Sequence, residues 1–202
     1  MRVFLAFEMP PGVVDYVTGL QETLRRAGVR GKWTCPDQAH LTLLFLGEQA
    51  PAVVSGLAAA LGPRLAAVPP FDLEPGCLGT FGRPPRVLYL GYRGPGVAQF
   101  AALSGEVRAL LPAANIEVPA SVLAQEASPH LTVARFRGPD EARTLARVWR
   151  GGDPEKGPAQ VPLARGAGSL RLDAVVLFES TLGRGGPEHR AVARLPLGVA
   201  QA

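Results

Sequence analysis

The 202-residue sequence contains little cysteine, little lysine and no long apolar run. Its two cysteines, Cys35 and Cys77, fit neither a disulfide framework nor the spacing of a zinc site, so we expect reduced thiols. No apolar run approaches the length of a membrane span. Glu8 and Pro10 interrupt the first apolar stretch too early for a signal peptide. These absences favour a cytoplasmic protein that contacts no membrane.

The positive charge comes mostly from arginine, because Lys32 and Lys156 are the only lysines. The formal net charge is +4, and the planar guanidinium group suits phosphate. A basic excess favours anionic partners such as nucleic acid. An arginine- and alanine-rich composition can also reflect genomic base bias, so charge alone does not identify RNA as the partner.

Strand-like and helix-like patterns are interspersed along the chain, and several strands are joined by links short enough for hairpins. This arrangement favours an α+β fold with antiparallel sheets over a doubly wound parallel sheet. The apolar periodicity predicts strands over 2–9, 29–35, 40–47, 71–82, 86–93, 130–137, 169–181 and 189–198. It predicts helices over 10–28, 50–68, 96–114 and 139–150, with a break at Gly62-Pro63, a loop over 151–162 and a turn over 182–188.

Two of the three histidines occur in the same short context, His-Leu-Thr followed by an aliphatic residue, at His40 and His130. By composition, two such matches among three histidines have a chance of about 0.5%. Alternation in a strand places each histidine on the same face as the threonine two residues later, Thr42 or Thr132. An imidazole exchanges a proton near neutral pH, and a hydroxyl can donate to an anionic oxygen.

Two such strands facing each other across a cleft form a symmetric acid–base site. One histidine would remove a proton from an attacking water, and the other would protonate the oxygen that leaves. The natural target is a phosphodiester, in which the attacking and leaving oxygens lie on opposite sides of the phosphorus. This chemistry requires no metal ion and no cofactor.

These residues resemble the 2H phosphoesterase superfamily, which is defined by two His-x-Thr/Ser motifs. Within it, the chain resembles the RNA 2′,3′-cyclic phosphodiesterases, also called 2′-5′ RNA ligase-like proteins. The supporting stretches are RVFLAFEMP, KWTCPDQAHLTLLFLGE, RPPRVLYLGY, SPHLTVARFR and VVLFEST. The resemblance implies one bilobal α+β domain over residues 1–202. Two antiparallel sheets with flanking helices would be related by a pseudo-twofold axis, with the active site in the central cleft.

The resemblance also implies metal-independent hydrolysis of RNA 2′,3′-cyclic phosphate ends, tRNA-derived ends among them, to 2′-phosphomonoesters. In that scheme His40 is the proton donor, His130 is the proton acceptor, and Thr42 and Thr132 hold the phosphate oxygens. The family's longer motifs, His-x-Thr-x-x-Phe and His-x-Thr-x-x-Arg, imply substrate binding by Phe45 and Arg135. We expect a monomer without a metal ion.

Several alternatives remain open from the sequence. Strict alternation would turn Phe45 and Arg135 away from the histidines unless a bulge brings them back, and a core position for Phe45 is about equally compatible with the pattern. His189 is interpreted as a solvated turn residue. The same site could instead join RNA ends through a 2′-5′ linkage, or the protein could bind RNA ends without catalysis.

Overall fold

The computed structural model describes residues 1–114, 116–124, 127–148, 168–183 and 186–198. Within these ranges the strands are β1 (Arg2–Glu8), β2 (Lys32–Trp33), β3 (His40–Glu48), β4 (Phe71–Phe81), β5 (Val87–Arg93), β6 (His130–Arg135), β7 (Leu170–Leu172), β8 (Ala174–Gly183) and β9 (Gly186–Pro196). The helices are α1 (Pro11–Arg26), α2 (Pro51–Ala66), α3 (Gly96–Leu110), α4 (Ala120–Leu123) and α5 (Pro139–Val148), with 3-10 turns at Pro36–Gln38 and Pro112–Ala114.

The strands pair in antiparallel fashion along one path, in the order β7-β4-β5-β6-β3-β1-β8-β9. The path divides at its centre, where β3 and β6 meet at the single residue pair Leu41 and Leu131. Beyond this pair, β6 has a different neighbour, because Lys32 and Trp33 of β2 pair with its last residues. The nine-stranded sheet therefore consists of two four-stranded halves joined through one residue pair, with β2 as the ninth strand beside β6. This confirms the predicted α+β fold with antiparallel sheets.

The two halves share one connectivity. Apart from the short elements β2 and α4 and the two 3-10 turns, β1 is followed by α1, β3 and α2 in the first half, and β5 is followed by α3, β6 and α5 in the second. In each half the motif strand, β3 or β6, pairs with the strand that precedes the first helix of the unit. The approximate twofold relation thus exchanges β3 with β6 and brings both His-Leu-Thr segments to the centre of the molecule.

Helix α1 illustrates how the local sequence sets the elements. Pro11 occupies its first turn, where the missing N–H costs nothing. Val13, Val17 and Leu24 form its buried face. The chain leaves the helix through Gly28, whose φ of 90° lies in the left-handed region that favours glycine.

The predicted break at Gly62-Pro63 is wrong, because α2 continues through Pro63 to Ala66. Proline removes one backbone hydrogen bond from a helix interior. Here Leu57, Leu61 and Leu65 are buried along one face, and this packing outweighs the local loss. Among the described residues, no helix is both long enough and apolar enough to cross a membrane.

The predicted strand over 29–35 is reduced to Lys32–Trp33. The N–H of Arg30 donates to the Thr144 hydroxyl (2.8 Å) instead of to a neighbouring strand, and Pro36 begins a 3-10 turn. The hydrogen bond and the turn together keep the ends of this segment out of the sheet. The loop predicted over 151–162 and residues 184–185 of the predicted turn lie outside the described residues. β8 and β9 nevertheless pair up to Gly183 and Gly186, as a hairpin requires.

The sheet has two differently packed faces. One contributes to the main core, which includes Leu5, Leu41 and Leu131, each at most 1% exposed. The other carries a smaller apolar cluster formed by Phe4, Ala6, Val176 and Phe178 of the neighbouring strands β1 and β8. The motif histidines and threonines lie on this second face, and all four are half-buried.

Candidate active site

The Leu41–Leu131 pair sets the geometry of the site. Both leucines point into the main core, so alternation directs the residues on either side of them to the opposite face. The antiparallel register of that pair places His40 beside Thr132, and Thr42 beside His130. Each imidazole therefore has the hydroxyl of the other motif as its cross-strand neighbour.

Both imidazoles are oriented by the same local hydrogen bond. His40 Nδ1 lies 2.8 Å from the carbonyl oxygen of Gln38, and His130 Nδ1 lies 2.8 Å from the carbonyl oxygen of Ser128. Because a carbonyl can only accept, Nδ1 must carry the proton in both rings. The nitrogen left to exchange a proton with a substrate is Nε2 in each case.

Aromatic rings surround His130. Phe81 packs edge-on against its imidazole at 4.9 Å between ring centroids, and Tyr89 lies at 5.6 Å. The Phe81 and Tyr89 rings are stacked at 4.2 Å. Gly79 makes this possible, because a Cβ at that position would lie 2.4 Å from the Tyr89 ring. This arrangement fixes one side of the His130 ring.

The surroundings of His40 are more enclosed. Its ring lies 4.9 Å from Phe4, 6.3 Å from Phe178 and 5.1 Å from the ring of His189, which is perpendicular to it. Burial, together with the positive charges of His189 and Arg135, lowers the pKa of His40 to about 4, against the opposing effect of the hydrogen bond to Gln38. In the free protein, His40 is therefore neutral at pH 7.

β-Bulges in both motif strands reverse the alternation that the sequence suggested for the fifth residue after each histidine. In β3, Leu5 pairs with Leu44 but Ala6 pairs with Thr42, so Leu43 is an extra residue. In β6, Leu88 pairs with Ala134 but Tyr89 pairs with Thr132, so Val133 is extra.

The bulges explain the exposure of the residues that follow. Leu43 and Leu44 are both buried, and so are Val133 and Ala134, although a regular strand would expose one residue of each pair. Phe45 follows with its side chain 54% exposed, and Arg135 is exposed at the equivalent place. Phe45 is therefore not a core phenylalanine, and both residues return to the face that carries the histidines.

A cavity of about 430 Å³ lies on this face. Its lining includes five of the six predicted site residues, namely Thr42, Phe45, His130, Thr132 and Arg135. His40, the sixth, is not among the lining residues, and the register of the Leu41–Leu131 pair places it opposite Thr132. Phe81 and Arg108 also line the cavity, and the sequence did not single out either as a site residue.

His189 corrects the sequence interpretation. It was expected to be a solvated turn residue, but it lies in β9 opposite Ser180. Its ring packs edge-on against Phe4 at 4.9 Å as well as against His40. Burial lowers its pKa, against the opposing effect of a backbone hydrogen bond at Glu188. No local motif marks this role, because it depends on the register of the β8–β9 hairpin.

Comparisons with known proteins identify the family of the chain. The family model of the 2′-5′ RNA ligase superfamily matches residues 19–165, which is most of the chain. The protein belongs to the 2′-5′ RNA ligase superfamily. A protein from Aeropyrum pernix called RNA 2′,3′-cyclic phosphodiesterase is 30% identical over 89% of this chain and 94% of its own. A protein of the same name from Methanothermobacter thermautotrophicus is 28% identical over 93% of this chain and 94% of its own.

A solved structure supports the fold of this superfamily member as well. The crystal structure of a Thermus thermophilus protein, TT0787, has a TM-score of 0.72 and 27% sequence identity, and the match covers 98% of both chains. Within the described ranges, no group of three or more histidine, cysteine, aspartate or glutamate side chains is placed to hold a metal ion.

Proposed function

We propose that this protein hydrolyses 2′,3′-cyclic phosphate ends of RNA to 2′-phosphomonoesters. The observation that carries the proposal is the matched pair of imidazoles, each oriented by a backbone carbonyl and each beside a threonine on one face of the sheet. The superfamily membership and the shared name of the two archaeal relatives support the same reaction.

The two histidines divide the proton transfers between them. In the proposed reaction, His130 Nε2 takes a proton from water while the water oxygen forms a bond to phosphorus. The bond between phosphorus and the ribose O3′ breaks, and His40 Nε2 gives its proton to that oxygen. The phosphate stays on O2′, and His130 then loses the proton to solvent, which restores the free protein with a neutral His40. Each transfer is worth roughly 10²- to 10⁴-fold in rate.

The remaining residues hold the substrate. The Thr42 and Thr132 hydroxyls lie on either side of the cross-strand junction and donate to the two non-bridging phosphate oxygens. Arg135 lines the same cavity and supplies positive charge to the phosphate or the ribose. The exposed ring of Phe45 provides a surface on which the terminal base can stack.

The low pKa of His40 places a condition on the donor role. A donor must carry its proton in the bound complex, but His40 is neutral in the free protein at pH 7 because its pKa is about 4. A phosphodiester bears a negative charge, and an adjacent negative charge favours the charged imidazolium. In our proposal, substrate binding therefore raises the pKa of His40, and His40 takes up from solvent the proton that it later gives to O3′.

The decisive assay uses a dinucleotide that ends in a 2′,3′-cyclic phosphate, incubated in EDTA. Turnover should be unaffected by the chelator, and His40→Ala and His130→Ala should each abolish it while the circular dichroism spectrum stays unchanged. Activity that is lost in EDTA and restored by metal would refute the proposed mechanism. Tight RNA binding without turnover, unaffected by either substitution, would instead indicate a binding protein.

The product isomer tests the division of roles. Protonation of O3′ yields a 2′-phosphomonoester, which phosphorus NMR distinguishes from the 3′ isomer. A 3′-phosphate product would contradict the assignment of O3′ as the leaving oxygen and would require the substrate to lie in the reverse orientation between the histidines.

Ligation is the alternative that the superfamily's description raises. It is the same displacement at phosphorus with a 5′-hydroxyl end in place of water: the bond to O5′ forms, the bond to O3′ breaks, and a 2′-5′ linkage results. We favour hydrolysis because the two archaeal relatives are named phosphodiesterases. Incubating RNA halves with and without a 5′-hydroxyl acceptor separates the two, since only a ligase would give a joined product.

The biological setting belongs to the same proposal. We infer that residues 1–202 act as one bilobal domain, that the protein is a cytoplasmic monomer, and that tRNA-derived ends are among its substrates. Sedimentation equilibrium would test the monomer, and competition between cleaved tRNA and a short cyclic-phosphate oligonucleotide would test the substrate preference.

A further inference from the structure

Three polar side chains are buried within the part of the chain that the structure describes: Gln21, Ser104 and Thr144. Burial of a polar group is costly unless it is hydrogen-bonded, so the partners of these side chains indicate what they stabilise. Two of the three donate to the residues that form the bulges of the motif strands.

Gln21 lies on α1 and is 1% exposed. Its Nε2 donates to the carbonyl oxygen of Val133 at 3.1 Å and to that of Thr34 at 2.8 Å. The N–H of Thr34 also donates to the Val133 carbonyl, at 3.1 Å. Val133 is the extra residue of the β6 bulge, so Gln21 ties this bulge to both α1 and the segment that follows β2.

Ser104 makes the corresponding contact in the other half. It lies on α3 with no exposed surface, and its hydroxyl donates to the carbonyl oxygen of Leu43 at 3.2 Å. Leu43 is the extra residue of the β3 bulge.

The two contacts obey the approximate twofold relation of the fold. Helix α1 follows β1 and reaches β6 in the other half, and α3 follows β5 and reaches β3 in the other half. A glutamine and a serine have little in common chemically, yet both supply one donor to the bulged residue three positions after the motif histidine. Such agreement between different residue types points to a shared task.

We propose that Gln21 and Ser104 are positioning residues that stabilise the two bulges. They thereby keep Arg135 and Phe45 on the face of the sheet that carries the histidines. This inference rests on the proposed function for its effect on activity. Without a bulge, the period of two in a strand would turn the fifth residue after each histidine to the opposite face. Each of these hydrogen bonds thus positions one residue that contacts the substrate in the proposed reaction. Gln21 positions Arg135, and Ser104 positions Phe45.

The test removes each donor with little change in volume. Gln21→Met and Ser104→Ala should each lower kcat/KM on the cyclic-phosphate dinucleotide by roughly 10- to 100-fold, the range expected when a substrate contact is misplaced by about an ångström. Thr144→Val is the matched control. Thr144 is also buried and hydrogen-bonded to backbone, at Arg30 N and Glu141 O, but it contacts neither motif strand through these bonds.

Double-mutant cycles separate positioning from general destabilisation. Ser104→Ala should have little further effect in a Phe45→Ala background, and Gln21→Met little further effect in an Arg135→Ala background. In the crossed combinations, Ser104→Ala with Arg135→Ala and Gln21→Met with Phe45→Ala, the two losses of kcat/KM should multiply. A purely structural role would give the same loss in all four backgrounds, and this result would overturn the proposal.

An activity-independent measurement keeps this inference distinct from the proposed function. Native-state amide exchange at Leu44 should accelerate in Ser104→Ala, and exchange at Ala134 in Gln21→Met, with neither changed in Thr144→Val. If wild-type protein fails to turn over the dinucleotide, the proposed function fails, but amide exchange still tests the positioning role of Gln21 and Ser104. If both amides exchange at the wild-type rate in these variants, the positioning role is overturned.

Discussion

His40 and His130 make the same backbone hydrogen bond but occupy different electrostatic environments. Burial holds the pKa of His40 near 4, so an anionic ligand has to bring a proton with it if His40 is the donor. We expect binding of adenosine 2′-monophosphate at pH 6–7 to be accompanied by proton uptake, measured by calorimetry in buffers of different ionisation enthalpy. His40→Ala should lose the part of the uptake that is due to His40. The uptake that remains in this variant gives the protons taken up by the phosphate itself. Equal uptake in both proteins would contradict a substrate-recruited proton.

His189 modifies the behaviour of its neighbour. Burial is the main cause of the low His40 pKa, and the charge of His189 adds to it. His189→Phe keeps an aromatic ring against Phe4 and His40 but removes the second titratable group. The pKa of His40 should therefore rise, and in the proposed reaction the acid limb of the kcat/KM profile, where both motif histidines become protonated, should move to higher pH. An acid limb at the same pH in both proteins would show that His189 has no electrostatic role.

At the residue scale, the sequence predicted those site residues that belong to a local motif. His40, Thr42, His130 and Thr132 were identified because one short pattern occurs twice. His189 and Gln21 were not, because their contacts depend on strands and helices far away in the chain: Gln21 reaches Val133 across 112 residues. Nothing in the residues next to them encodes that partner.

At the scale of elements, the period of two predicted the strands well but misplaced the side chains beyond the bulges. A trace of each bulge is visible in the sequence, since Leu43-Leu44 and Val133-Ala134 put two apolar residues in succession where alternation requires one. A single apolar pair is too common to predict a bulge. The pairing register, which decides the matter, is a property of neighbouring strands.

The β4–β5 pair offers a test at the same scale. Gly79 lies against the ring of Tyr89, and this ring supports Phe81 and His130. Gly79→Ala should displace Tyr89 and lower kcat/KM by about tenfold, since a small shift of a catalytic group is costly. Gly105→Ala is the control. Gly105 is in α3 with open space around its Cα, so this change should stabilise the fold by about 0.5–1 kcal/mol and leave activity unchanged.

For the whole molecule, the approximate twofold symmetry applies to the backbone and not to the environments it creates. The same β-α-β-α unit packs His40 against Phe4, Phe178 and His189, but His130 against Phe81 and Tyr89. Duplicated connectivity therefore produces two imidazoles with the same backbone hydrogen bond in different surroundings, and the more enclosed surroundings of His40 lower the pKa of that ring. A symmetric pair would lack this difference.

The buried imidazole also links folding to pH. The pKa of His40 is about 4 in the folded protein, against 6.5 for an unperturbed histidine, so the unfolded chain binds this proton first as pH falls. Its contribution to stability is fully present above pH 6.5 and is lost between pH 6.5 and 4, with a total of about 3 kcal/mol. Urea unfolding at pH 7 and pH 4 should therefore show a smaller loss of free energy in His40→Ala than in wild type, with Thr132→Val as the control that keeps the wild-type difference. Equal losses in His40→Ala and wild type would mean that His40 accepts a proton in the folded state as readily as in the unfolded chain, and that the apolar cluster around it does not exclude its charge.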